Sequence, residues 1–163
     1  MDLRDPHHPL HEFTTPLARD FATLFLGRKL GSGAARVVFE HAFDAALVIK
    51  IEHGDRSFQN VHEWQLWEVV KRTPKHAEWF APCRAISPCG RVLVMERTNP
   101  ALLLPEQMPM YLCDFKPDNF GLLSTSGRFV CHDYGLSMAL QRGLTTRMAR
   151  AKWWQLTASE RGA

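Results

Sequence analysis

Asp114-Phe115-Lys116-Pro117-Asp118-Asn119 decides the reading of this chain, together with the apolar run Phe120-Gly121-Leu122-Leu123 that follows it. An aspartate, a lysine two residues on and an asparagine five residues on can converge in one loop. The carboxylate can accept a proton from a hydroxyl. The lysine can neutralise a phosphoryl group in transfer, and the asparagine oxygen suits a hard cation such as Mg²⁺. A plain polar turn is the alternative. Further on, Asp133-Tyr134-Gly135 ends another apolar run, Phe129 to His132. A carboxylate at a strand end, released by a glycine, is a natural second ligand for the same ion.

Upstream, Phe25 to Leu30 leads into Gly31-Ser32-Gly33-Ala34-Ala35, and Arg36 to Glu40 returns as a β-branched and aromatic run. Ala46 to Ile51 is a third apolar run with Lys50 near its end. Residues 25–53 therefore read as three antiparallel strands. Glycines between strands let a backbone approach a phosphate closely; a plain glycine hairpin is the alternative. Lys50 emerges from a buried strand and needs an anion, since an unpaired buried ammonium is costly. Glu63 lies within residues 57–72, which read as a helix with an apolar face from Val61, Trp64, Leu66, Trp67 and Val70. Ser57 or Asn60 is the expected cap, and Glu68 is a rival partner for the lysine. The tryptophans are expected in the core.

Two further hairpins follow: Pro82–Ile86 with Arg91–Met95, and Phe120–Leu123 with Phe129–His132. Asn99–Pro109 reads as a proline-punctuated connection. The basic, amphipathic stretch Met138–Leu156 reads as one or two helices, and Leu17–Leu26 as a short one.

In order, these elements are a glycine hairpin, a strand lysine, a helix glutamate, D-x-K-x-x-N, a hairpin and D-Y-G. Over residues 25–137 the chain resembles the eukaryotic-type protein kinase superfamily. D-F-K-P-D-N resembles that family's D-L-K-P-x-N, L-G-S-G-A-A-R-V-V its glycine loop, and V-I-K the end of its V-A-I-K.

The resemblance implies an α+β fold: a kinase-like antiparallel sheet with one helix (25–98), then a catalytic-loop hairpin and a much reduced helical part (99–163). Residues 17–163 would form one minimal domain behind a flexible arm, 1–16. It implies ATP and Mg²⁺. Gly31, Ser32 and Gly33 would cover the phosphates, and Val38 with Ala46 or Leu47 would touch the adenine. Lys50, held by Glu63, would bind the α- and β-phosphates. Met95 would be the gatekeeper, with Glu96 to Thr98 meeting the adenine edge. Asp114 would be the catalytic base and Lys116 a phosphoryl-contacting cation. Asn119 and Asp133 would hold Mg²⁺.

Three departures matter. Arg36 stands where the family has its third glycine. Leu112-Cys113-Asp114 stands for His-Arg-Asp, which argues against regulation by a phosphorylated activation loop. Between Glu96 and Asp114, and after Gly135, there is little room for the family's helical lobe. Such economy points to a compact phage-like or bacterial kinase-like protein. An ATP:Mg²⁺ phosphotransferase acting on a protein hydroxyl or a small molecule is expected. The alternative is an inactive nucleotide-binding or interaction module. A second copy, docking through Met138–Leu156 with Trp153 and Trp154, would cover an exposed lower face.

Composition sets outer bounds. The chain has 163 residues, 45% of them hydrophobic and 23% charged, with a net charge of +3. These are ordinary globular values, and they exclude collagen-like or wholly disordered chains. The mild positive charge does not call for nucleic acid, whose only support is the basic end with Arg142, Arg147, Arg150 and Lys152. No apolar run reaches the roughly 18 residues of a membrane helix. Without a signal peptide, a cytoplasmic location with reduced thiols is expected. Cys83, Cys89, Cys113 and Cys131 are then small hydrophobes. His7, His8 and His11 read as part of a solvated tail.

Overall fold

A computed structural model describes residues 16–53, 58–112 and 114–154. The N-terminal arm with its three histidines, Ser57 and Cys113 lie outside the described residues.

Helix α1 (Pro16–Phe25) leads into β1 (Leu26–Ser32), β2 (Arg36–His41) and β3 (Leu47–Glu52). Helix α2 (Gln59–Val70) and the single turn α3 (Pro74–Ala77) follow, then β4 (Cys83–Ile86) and β5 (Val92–Glu96). These five strands make one antiparallel sheet in the order β1-β2-β3-β5-β4. The pleat sorts their side chains by period two. Val37, Phe39, Ile49 and Ile51 bury on one face with Ala22 of α1 and Leu26. Val48, Leu93 and Met95 bury on the other, against Leu66 and Val70 of α2. The architecture is mixed α and β, dominated by sheet, as expected.

The buried stripe of α2 is Asn60, Glu63, Leu66 and Val70. Two of these are polar, so the apolar face read from sequence captures only part of it. Trp64 and Trp67 are half-buried against the core, as expected of core residues. Asn60 does not cap the helix. It sits inside the first turn, and its amide donates to the carbonyls of Lys50 and Arg91. The cap comes from the sheet: Glu52 accepts a hydrogen bond from the Asn60 backbone N–H at 2.6 Å.

Beyond β5 come β6 (Thr98–Asn99), β7 (Gln107–Pro109), a 3-10 turn at Pro117–Asn119, then β8 (Phe120–Leu123) and β9 (Phe129–Cys131). Strands β6, β8 and β9 form a second sheet in that order. The proline-punctuated connection thus contains two short strands.

Of the one or two helices expected over Met138–Leu156, the described residues form a single short turn. Helix α4 (Ala139–Arg142) ends at once, because Gly143 takes a left-handed φ of 81°. The chain then forms β10 (Met148–Arg150), antiparallel to β7. Trp153 folds onto its own domain rather than outward. It packs edge-on against Phe115 and Phe120, at centroid distances of 5.4 and 5.1 Å, and its indole N–H donates to the Pro105 carbonyl. Trp154 is exposed. The reduced helical part is therefore mostly strand and loop. A β-ladder and an aromatic cluster support the 114–119 loop, where the resemblance led us to expect helices.

Cys83 and Cys131 are buried free thiols, as expected, whereas Cys89 is exposed. Burial pushes the Cys83 thiol up to about 12, and Cys131 higher still. No helix among the described residues is long and apolar enough to cross a membrane.

Candidate functional site

Strand β3 carries Val48 and Lys50 on the face that α2 covers. The Lys50 Nζ donates to both oxygens of Glu63 at 3.1 and 3.0 Å and to the His132 carbonyl. Both side chains are nearly sealed from solvent. The spacing of one strand residue and one helix residue thus becomes a buried ion pair. Glu68, the rival, instead pairs with Lys71 on the surface of α2.

Glu63 holds more than the lysine. Its Oε1 accepts the Tyr134 backbone N–H at 3.1 Å, and its Oε2 lies 2.9 Å from Arg36 Nη1. The other arm of Arg36 pairs with Asp133. Two cations and two carboxylates therefore form one network at the base of the sheet. Burial alone would raise the Asp133 carboxyl; the charges of Lys50 and Arg36 outweigh it and hold the group below the ordinary range. Burial opposes the charge of Arg36, but Glu63 and Asp133 hold its guanidinium above its usual value.

Above this network lies a cleft of about 620 Å³, within the range of small-molecule pockets. Gly31, Ser32, Val38, Lys50, Met95, Glu96, Thr98 and Asp133 all line it. Ala46 and Leu47 do not. Val48 takes that place, because side chains two apart on a strand share a face and Val48 shares the face of Lys50. Gly33 is not among the lining residues. Neither Gly31 nor Gly33 has a positive φ, and a Cβ on Gly31 would meet open space. The backbone of the hairpin does not require glycine at either position.

Asp133-Tyr134-Gly135 is fastened on three sides. The Tyr134 hydroxyl donates to the Ala81 carbonyl at 2.8 Å, and its ring packs edge-on against Phe80. Gly135 passes so close to α2 that a Cβ would lie 2.8 Å from the Cβ of Gln59. His62 Nδ1 donates to the Gly135 carbonyl. The Tyr134 hydroxyl thus gives this segment a buried hydrogen bond.

Asn119 is buried beside this segment, its carbonyl accepting the His132 and Asp133 N–H groups. Its side-chain N–H lies 3.4 Å from the Asp114 carbonyl, which leaves the amide oxygen for another partner. Asp114 is exposed and lines a smaller recess of about 80 Å³ that it shares with Asp133, Tyr134 and Ser137. Lys116 is exposed and lines neither space. Leu112, standing for the family's histidine, is buried in the core.

Asn119 ends the turn before β8 and lines neither space, whereas Asp133 follows β9 and lines both. No group of three or more His, Cys, Asp or Glu side chains among the described residues could hold a metal by itself. A hard cation held by these two residues would have to bring phosphate oxygens and waters with it, as Mg²⁺ does.

Sequence reasoning missed His132. Its Nε2–H donates to the Asp118 carbonyl at 2.9 Å, and its Nδ1 accepts from the Thr98 hydroxyl at 2.8 Å. It links the rim of the cleft to the 114–119 loop. Burial, aided by the Lys50 charge, pushes its pKa down from 6.5 to about 4. An unfolded chain therefore takes up a proton there that the folded chain refuses. The contribution of His132 to stability is complete above pH 6.5 and is lost as pH falls toward 4. In urea titrations across that window, wild-type stability should fall more steeply than that of His132→Gln, which keeps a neutral donor. Parallel pH profiles would contradict the neutral, two-bonded imidazole.

Glu96 is a strut on the opposite rim. Its carboxylate pairs with Arg84 and accepts from the Thr125 hydroxyl, tying the first sheet to the turn between β8 and β9. A scan against protein-family models and a search of curated proteins give no match to this chain.

Proposed function

We propose that the chain is an ATP:Mg²⁺-dependent phosphotransferase acting on a hydroxyl of a protein or a small molecule. The observation that carries this reading is the cleft in which the glycine turn, Val38, Met95 and Lys50 meet, with Lys50 locked onto Glu63 at its base. The strand order, the single covering helix and the order of the motifs agree with the resemblance to protein kinases.

In this reading Val38, Val48 and Met95 grip the base from apolar sides, and the backbone of residues 96–98 meets its edge. Gly31 and Ser32 cover the phosphates. Lys50 binds the α- and β-phosphates, with Glu63 preventing it from folding away. Asp114 takes the proton of the attacking hydroxyl as its oxygen bonds to the γ-phosphorus and the bond to the β-phosphate oxygen breaks, releasing ADP. Lys116 offsets charge on the phosphoryl group. Asn119 and Asp133 would hold Mg²⁺, which supplies charge neutralisation at the phosphates.

A non-catalytic nucleotide-binding module is the second reading. It is favoured by the pairing of Asp133, the one carboxylate offered to a metal, with a cation of the protein itself.

Calorimetric titration of ATP with and without Mg²⁺, followed by incubation with labelled γ-phosphate, separates the readings. Binding with transfer supports the enzyme, and binding alone supports the module. Lys50→Met should weaken ATP about tenfold or more, since a charge-assisted contact is worth about 1.5–3 kcal/mol. Equal affinity in the variant would remove Lys50 from the phosphate site.

A further inference from the structure

We propose that Arg36 is a positioning residue that ties Glu63 and Asp133 together from behind the cleft, adding a charged tie to the contacts that already join α2 to residues 133–135. The proposal rests on reading the cleft as a nucleotide site.

Arg36 opens β2 opposite Glu52 of β3, and the next same-face pair is Val38 with Lys50. The pleat thus aims Arg36 and Lys50 to the same side of the sheet. Only 7% of the Arg36 side chain is exposed. Its Nη1 lies 2.9 Å from Glu63 Oε2 and 3.4 Å from Asn60 Oδ1, both on α2, and its Nη2 pairs with Asp133. One planar fork therefore spans two elements that are distant in sequence. An ammonium, a compact point charge, cannot hold both at once.

The direction of approach decides between holding and blocking. Asp133 lines the cleft, whereas Arg36 does not. The guanidinium thus takes one carboxylate oxygen from the protein side, and the cleft side of Asp133 stays open. Charge balance points the same way. With Arg36 present, two cations face Glu63, Asp133 and, opposite Arg36, the buried Glu52. Without it, Lys50 alone would have to serve Glu63 and Asp133, and it would be drawn from the phosphates. Asn60 adds a second anchor, through the Lys50 and Arg91 carbonyls, so the start of α2 is fixed to the sheet.

The test uses the full chain. Amide hydrogen exchange is measured without nucleotide for wild type, Arg36→Gln, Arg36→Lys and Asp133→Asn. The reporter is the Tyr134 amide, which Glu63 holds, normalised to the Phe39 and Ile49 amides of the central sheet. All three variants should speed Tyr134 exchange about tenfold or more, as for loss of a charge-assisted hydrogen bond. ATP titrations should then show the Mg²⁺ enhancement of affinity lost in Arg36→Gln, together with a weaker metal-free affinity, because Lys50 is drawn toward Asp133.

Unchanged Tyr134 exchange, or Arg36→Lys behaving as wild type, overturns the two-armed tie. A larger Mg²⁺ enhancement in Arg36→Gln overturns it too, by making Arg36 a competitor of the metal. If Arg36→Gln unfolds globally, Asp133→Asn decides, because it breaks the same tie at its exposed end. Failure of the wild type to bind ATP would defeat the nucleotide-site reading, while the exchange data would still uphold or overturn the tie.

Discussion

Asp114→Asn should lower phosphotransfer by about 10²–10⁴-fold, the usual cost of a lost general base, and leave ATP affinity nearly intact. Asp114 is exposed and lines the recess beside the cleft, not the cleft itself. Its carboxylate is therefore not needed to grip nucleotide. It is held near Asp133 by the Asn119 turn, and the loop that carries it is braced from below by Phe115, Phe120, Phe129 and Trp153. Asparagine keeps the size and loses the basicity, so the geometry survives and the proton has no acceptor. In phosphoryl transfer most of the rate comes from positioning and electrostatics, so the residual rate reports what the rest of the site supplies. Steady-state transfer and calorimetric affinity, measured on one preparation, check both halves. Equal loss of both would mean that the loop has moved. Unchanged transfer would remove Asp114 from the chemistry.

Glu63→Ala should destabilise the fold by about 3–5 kcal/mol, the cost of breaking a buried ion pair from one side. Glu63 is fully buried and answers Lys50, Arg36 and the Tyr134 N–H at once. Its removal leaves two cations crowded in low dielectric and empties the space at the centre of α2. Glu63→Gln keeps the volume and should cost less, but it loses the charge that both cations need. Urea denaturation of wild type and both variants checks the order. Glu63→Ala should also weaken ATP, since Lys50 then has no fixed direction. A loss below about 1 kcal/mol would mean that the network is worth no more than a surface pair.

Much of the site was legible in sequence because its signals are local. The spacing in D-F-K-P-D-N, the glycine turn and a cation ending a β-branched run each have meaning within a few residues. The strands of all three hairpins and the long helix followed from period and turn chemistry. The pairing of Lys50 with Glu63 could be named in advance because only Glu63 and Glu68 competed for it.

What the sequence could not decide depended on neighbours far along the chain. Arg36 could be read as a lost glycine or an added cation, but not as the tie between Glu63 and Asp133, because that needs α2 and the end of β9 in one place. The basic run Met138–Leu156 carries helical patterning, yet only Ala139–Arg142 is helical, and the edge of β7 draws Met148–Arg150 into a strand. Tertiary pairing satisfied backbone groups there that local propensity would have given to a helix. Asn60 looked like a cap and became an anchor, because Glu52 on another strand had already taken the helix end. Period, turns and short spacings determined the elements and the chemistry they carry. The meeting of two cations with two carboxylates at the base of one cleft was decided only by the tertiary structure, since buried charges must find partners wherever the fold brings them.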